Sequence, residues 1–144
     1  MRRESLLGLA VLAGAALACT GCAPASSADL SVTFTDGSDE VVHEISLTDL
    51  SCKTSSVARI IVSDSVTGDG EEVFLANAPT DGRDAYAISL WVDGFRFVST
   101  EKFDASGSRI DFDKMAGFIT ESPDGHQAAG EETQATLNGT VACG

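Results

Sequence analysis

Four cysteines, two histidines and 22 acidic side chains are the groups with which this chain of 144 residues would do chemistry. A nucleophilic hydrolase needs a serine or cysteine held beside a base. The two bases on offer, His43 and His126, have no G-x-S-x-G motif near them, which argues against an esterase or a protease. His43 shares an alternating face with Val41, Ile45 and Leu47, the setting of a structural or sheet-edge histidine, and His126 follows Pro123-Asp124-Gly125 as a turn residue. Carboxylate pairs such as Asp111 with Asp113, Glu71 with Glu72 and Glu131 with Glu132 have no distinctive spacing in so acidic a chain. Asp69-Gly70-Glu71 superficially suggests a calcium loop but lacks the ligand order of an EF-hand. The expectation is a protein with no catalytic residues, no metal site and no cofactor, and not an enzyme.

The cysteines divide by position. Arg2 and Arg3 precede an uncharged run from Leu6 to Ala18, too short for a permanent membrane span and of the length of a signal-peptide core. It leads into Ala18-Cys19-Thr20-Gly21-Cys22, where small residues directly precede a cysteine as a lipoprotein signal peptidase requires. Both cysteines follow imperfect lipoboxes. Acylation at Cys22 is preferred over Cys19, because it removes Cys19 with the signal peptide and leaves no odd thiol. The expected organisation is a signal peptide over 1–21, the acylated cysteine and a short tether over 22–29, and one extracytoplasmic domain over 30–144. A diacylglyceryl group has two chains, each buried methylene adding about 0.8 kcal/mol, so it would hold the domain stably on the outer face of the cell membrane. In such a bacterial protein the sequon Asn138-Gly139-Thr140 carries little meaning.

Cys52 and Cys143 are the cysteines of the folded part, and an oxidising compartment predicts a disulfide between them. Each is in phase with apolar neighbours at alternate positions, Leu50 with Cys52, and Leu137 and Val141 with Cys143, so both sulfurs point inward if these segments are strands. Without residues 1–21 the chain keeps seven basic and 21 acidic side chains, a net charge of −14. That argues against nucleic acid and against electrostatic docking on anionic lipid headgroups, and suits a tethered, soluble domain.

The elements that must position these groups read as strands. Leu30, Val32 and Phe34 alternate with Ser31, Thr33 and Thr35, and Val41, His43, Ile45 and Leu47 form a second face, a hairpin around Asp36-Gly37. From Tyr86 to Thr100 two alternating runs flank Asp93-Gly94, the pair favoured in a type I′ turn. With Val92 opposite Phe95, one face carries Tyr86, Ile88, Leu90, Val92, Phe95 and Phe97, and Trp91 lies opposite Arg96 on the other as a surface cation–π pair or one wall of a binding surface. Further strands are expected over Val57 to Val62, Glu72 to Ala78, Arg109 to Phe112, Met115 to Thr120 and Ala135 to Cys143, with room for a short helix near Ala128 to Thr133. The fold class is therefore mainly β, an antiparallel β-sandwich or partly open barrel of about seven to nine short strands stapled by one disulfide.

Leu50-Ser51-Cys52-Lys53-Thr54 with the apolar run through Ile60 and Val62, the hairpin Val92-Asp93-Gly94-Phe95, and the closing Val141-Ala142-Cys143-Gly144 resemble the mycobacterial nineteen-kilodalton lipoprotein antigen family, LpqH. The resemblance implies an actinobacterial, non-enzymatic, acylated surface antigen whose lipid is sensed by a host receptor, Toll-like receptor 2, with adhesion or ligand transport as proposed roles. The chain departs from the family pattern in its shorter tether, fewer glycines and greater acidity. Two functions compete: display of a monomeric domain on the membrane through its lipid anchor, and binding or transport of a small apolar ligand in a gap lined by Phe34, Tyr86 and Phe97. Trp91, Arg96, Tyr86 and Phe97 are the candidate ligand or partner surface.

Overall fold

Alternation of apolar and polar side chains sets nearly every element of the computed structural model, which describes residues 25–63, 73–123 and 129–144. In β1 (Ser27–Asp36) Leu30, Val32 and Phe34 are buried, and β2 (Asp39–Thr48) runs back beside it from Asp36↔Asp39 to Ser27↔Thr48. Gly37 takes φ 65° in the turn, where glycine pays no Cβ penalty. β3 (Leu50–Thr54), β4 (Ala58–Ser63), β5 (Phe74–Pro79), β6 (Ala87–Val92), β7 (Phe95–Ser99), β8 (Arg109–Glu121) and β9 (Ala129–Ala142) then form an antiparallel meander, and β9 returns to pair with β1. Among the described residues the result is one nine-stranded sheet in the order β2-β1-β9-β8-β7-β6-β5-β4-β3, curled into a half-barrel.

The edge strands β2 and β3 are consecutive in the chain, separated by Asp49 alone. Asp49 has φ 59°, a left-handed conformation that asparagine and aspartate tolerate better than most residues. The backbone N–H of Leu50 still donates to Ser26, continuing the β1 ladder by one bond, and from there the strand pairs with β4. β2 and β3 are thus one long strand that changes partners at a corner, with Leu47 and Leu50 turned into the core on either side of it. The disulfide Cys52–Cys143, Cα atoms 6.0 Å apart, ties the second half of this bent strand to the end of β9. Phe74, Phe97, Ile61, Leu90, Ile110, Ile119, Leu137, Val32 and Val141 fill the inside of the curl.

Three expectations change. Arg109 to Phe112 and Met115 to Thr120 are one strand, β8, because a bulge absorbs Asp113 and Lys114: Lys114 takes φ 50° and its N–H donates to Asn138 Oδ1 at 2.8 Å. Ala129 to Thr133 are not helical but belong to β9, where Thr133 pairs with Ile119 and Ala129 with Glu121. β1 also begins at Ser27, so the sheet takes up residues 27–29 of the expected tether, held by Ala142 on one side and Thr48 on the other. Cys19, Cys22, Asp69-Gly70-Glu71, Glu72, His126 and Ala128 lie outside the described residues.

Candidate functional site

The hairpin of β6 and β7 turns through Asp93 (φ 50°) and Gly94 (φ 81°) with Val92 opposite Phe95, the type I′ geometry that the sequence pattern demands. Its tip reaches across the open side of the curl to β2. There His43 Nδ1 donates to Asp93 Oδ2 at 2.9 Å, and the imidazole stacks on Phe34 and Phe95 at centroid distances of 5.6 and 5.1 Å. Phe34 and Phe95 also touch each other at 5.4 Å. His43 Nε2 is buried without a hydrogen-bond partner. The arrangement is a clasp between an edge strand and a turn, consistent with a sheet-edge histidine.

At the opposite end of β4 and β5 lies a cavity of about 610 Å³. It exists because β7 leaves β8 after the Val98↔Phe118 pair, and residues 100–108 cross the end of the curl without forming a strand. Phe103, isolated in a polar stretch, turns inward from that segment and packs edge-on against Phe112 at 5.5 Å and Tyr86 at 5.6 Å. Arg59, on the inward face of β4 with Ile61 and Ser63, extends to the crossing segment and donates through Nη1 to the carbonyls of Ala105 and Gly107. Asp104 is occupied by its own turn: hydrogen bonds from the Ser106 hydroxyl and the Ser106 N–H, the latter at 2.9 Å, lower its pKa below the usual carboxylate value. Thr54, Ala78, Pro79, Thr80 and Lys102 complete the wall, with Lys102 Nζ 5.9 Å from the Tyr86 ring.

A larger, shallow groove of about 870 Å³ runs over the outer face of β1, β9, β8 and β7, with Val98 and Phe118 side by side on it, 39% and 44% exposed. Two of its polar side chains already serve the sheet: Ser99 Oγ donates to the Ala116 carbonyl at 2.6 Å, and the Ala116 N–H donates to Glu101 Oε2 at 2.6 Å.

The four residues expected to form one surface do not share a common site, and only Trp91 and Arg96 are neighbours. Tyr86 lines the rim cavity. Phe97 has no exposed surface and sits in the core, as its face of the hairpin dictates. Trp91 and Arg96 do pair across β6 and β7, but each is half-buried and committed: Trp91 Nε1 donates to the Ser122 carbonyl at 2.7 Å and Arg96 Nη1 to Ser89 Oγ at 2.8 Å. A gap lined jointly by Phe34, Tyr86 and Phe97 is not found, since Phe34 borders the outer groove and Tyr86 the rim cavity. Glu131, Glu132 and Asp113 are exposed, and no three of His, Cys, Asp and Glu converge among the described residues.

Asp111 does enter a small network, bridging β8 and β9. Thr140 Oγ1 donates to its Oδ1 at 2.8 Å and Arg109 Nε donates at 3.0 Å, while Arg109 Nη2 reaches Thr140. The Thr140 hydrogen bond first, and the Arg109 contact second, hold the Asp111 pKa below its ordinary value. A carboxylate with a depressed folded pKa stabilises above its unfolded pKa, and that contribution is lost as pH falls through the folded one. Asp111→Asn is therefore expected to lower the melting temperature at neutral pH and leave it unchanged below the lowered pKa. Equal melting curves at neutral pH would show that this exposed network contributes nothing.

Compared with models of known protein families, with curated proteins and with solved structures, the chain matches none.

Proposed function

We propose that the protein is a lipid-anchored lipoprotein of the cell envelope that acts by display, with Cys22 as the acylated residue and the β-domain as its exposed part. One observation carries the reading: two arginines, a short uncharged run and small residues before a cysteine occur in the order that export and lipoprotein processing require. The Cys52–Cys143 bond supports it, because a disulfide joining distant parts of the fold suits an oxidising compartment outside the membrane. So does the acidity, which keeps a tethered domain clear of anionic headgroups. The segments that resemble the LpqH family are β3, the β6–β7 turn and the chain end bearing Cys143, and on that likeness the partners are the membrane and a host receptor for the lipid.

Intact mass spectrometry of the protein extracted from its native membrane tests this. The expected product starts at Cys22, carries a diacylglyceryl group, and gains the mass of two hydrogens on reduction; a product starting at Cys19 would move the site. An unacylated chain would end the display reading.

A second reading, an extracytoplasmic protein that binds or transports a small ligand, is favoured by the rim cavity, whose volume lies within the range of small-molecule sites.

A further inference from the structure

The geometry points to the rim cavity as a binding site for a small organic anion with an apolar body, a carboxylate or a phosphate or sulfate ester, held by Arg59 and Lys102. This inference rests on the second reading, that the domain binds a small ligand, and is independent of the lipid anchor.

The first argument is charge. Seven basic side chains remain beyond the signal segment, and two of them line this one cavity in a chain that is otherwise strongly acidic. Neither has a carboxylate partner among the described residues. Asp104, the one acid in the wall, is engaged by Ser106. The second argument is the state of Arg59. Its Nη1 is spent on the Ala105 and Gly107 carbonyls, and its Nε is buried with no acceptor. A part-buried guanidinium without a counter-anion is costly, and an anion entering the cavity supplies the missing charge. The third is the apolar lining: Tyr86, Phe103, Ala78, Pro79 and Ala105 form a wall suited to a ring or an acyl segment, with the Tyr86 face already beside a cation. Inorganic anions would meet the charges and leave this wall empty.

Fluorescence titration of the full β-domain with two dyes separates the possibilities: anilinonaphthalene sulfonate, an aromatic anion, and Nile red, a neutral apolar dye. Saturable binding of the anionic dye is expected, weakened about tenfold by Lys102→Glu through loss and reversal of one charge. Thr54→Trp, an exposed strand position at the mouth, should block it without disturbing the fold. Lys114→Glu, the same charge change at the β8 bulge, should leave it unchanged. Octanoate should displace the dye and inorganic phosphate alone should not; displacement by phosphate at equal concentration would overturn the apolar half of the assignment. Binding unaffected by Lys102→Glu would overturn the anionic half. Nile red bound as tightly and blocked by Thr54→Trp, with the sulfonate no better, would leave a small-ligand site and remove the anion. Failure of both dyes would remove the site and the second reading together.

Discussion

Cys52→Ser and Cys143→Ser should each lower the melting temperature of the domain by roughly 15 to 20 °C, and to the same extent. The bond closes a loop with a sequence separation of 91. On the chain-entropy account, a loop of that length restricts the unfolded chain by about 4 to 5 kcal/mol, an account that calorimetry disputes in mechanism more than in size. The fold adds a local reason. β3 is the last strand of the sheet and has only five residues paired to β4, from Leu50↔Ser63 to Thr54↔Arg59. Among the described residues its other edge has no strand neighbour, and the sulfur bridge to the end of β9 is a second tie beside the β4 pairing. Hydrogen exchange in β3 and in residues 143–144 should therefore quicken in the reduced protein before the central strands β8 and β9 do. Thermal unfolding of oxidised and reduced protein checks the first expectation. Equal melting temperatures would mean that the curl closes without the bond, and that the β4 pairing and the bent strand at Asp49 suffice to keep β3 in place.

Much of this architecture was legible because a half-barrel with a filled interior imposes period-two alternation on every strand. The β1–β2 and β6–β7 hairpins followed from alternation plus Asp36-Gly37 or Asp93-Gly94 at the tip, and the Cys52–Cys143 pair followed from these being the cysteines of the folded part, with their inward direction given by phase with Leu50 and Val141. Less legible was anything decided by backbone irregularity. The β8 bulge at Asp113-Lys114 looked like a break between two strands, since a bulge and a turn use the same polar residues. The corner at Asp49 has no signature of its own, because one residue with positive φ between two alternating runs reads as an ordinary loop. The rim cavity was missed for a related reason: Phe103 stands alone in a polar stretch, and Arg59 shows only as a charged residue in an apolar strand. Its position on the inward face of β4, in phase with Ile61 and Ser63, was the available signal. Asn138-Gly139-Thr140 shows the reverse case. It reads as a sugar acceptor, whereas each residue is committed structurally: Asn138 accepts the Lys114 N–H, Thr140 bonds Asp111, and Gly139 lies between them where the β1 backbone leaves no room for a Cβ.

Gly139→Ala is a further point substitution expected to cost the domain heavily. Gly139 sits in β9 between Leu30 of β1 and Phe112 of β8, beside the bulge that shifts the β8 register. It adopts φ 125°, a region from which L side chains are largely excluded. A Cβ there would stand 2.1 Å from the Asp29 carbonyl oxygen and 2.9 Å from Leu30 Cα. Both obstacles are backbone, so no rotamer change relieves them; β1 and β9 must separate locally or the bulge must re-form elsewhere. Backbone strain of this kind costs about 1 to 3 kcal/mol, and the forced separation of paired strands adds to it, so a loss of about 3 kcal/mol or more is expected. Gly37→Ala supplies the comparison. Gly37 also has positive φ, at 65°, but nothing lies within 4 Å of its added Cβ, so its cost should be confined to conformational strain of about 1 kcal/mol. Denaturant unfolding of the two variants beside the parent reads the difference. A Gly139→Ala midpoint no lower than that of Gly37→Ala would mean that β1 and β9 do not approach as closely as their register requires. A much lower one would place the domain's tightest backbone contact at the strand pair that joins the first hairpin to the meander. That pair is the longest contact between the first hairpin and the meander, which otherwise meet at the Asp49 corner and at the clasp of His43 and Phe34 on the β6–β7 turn.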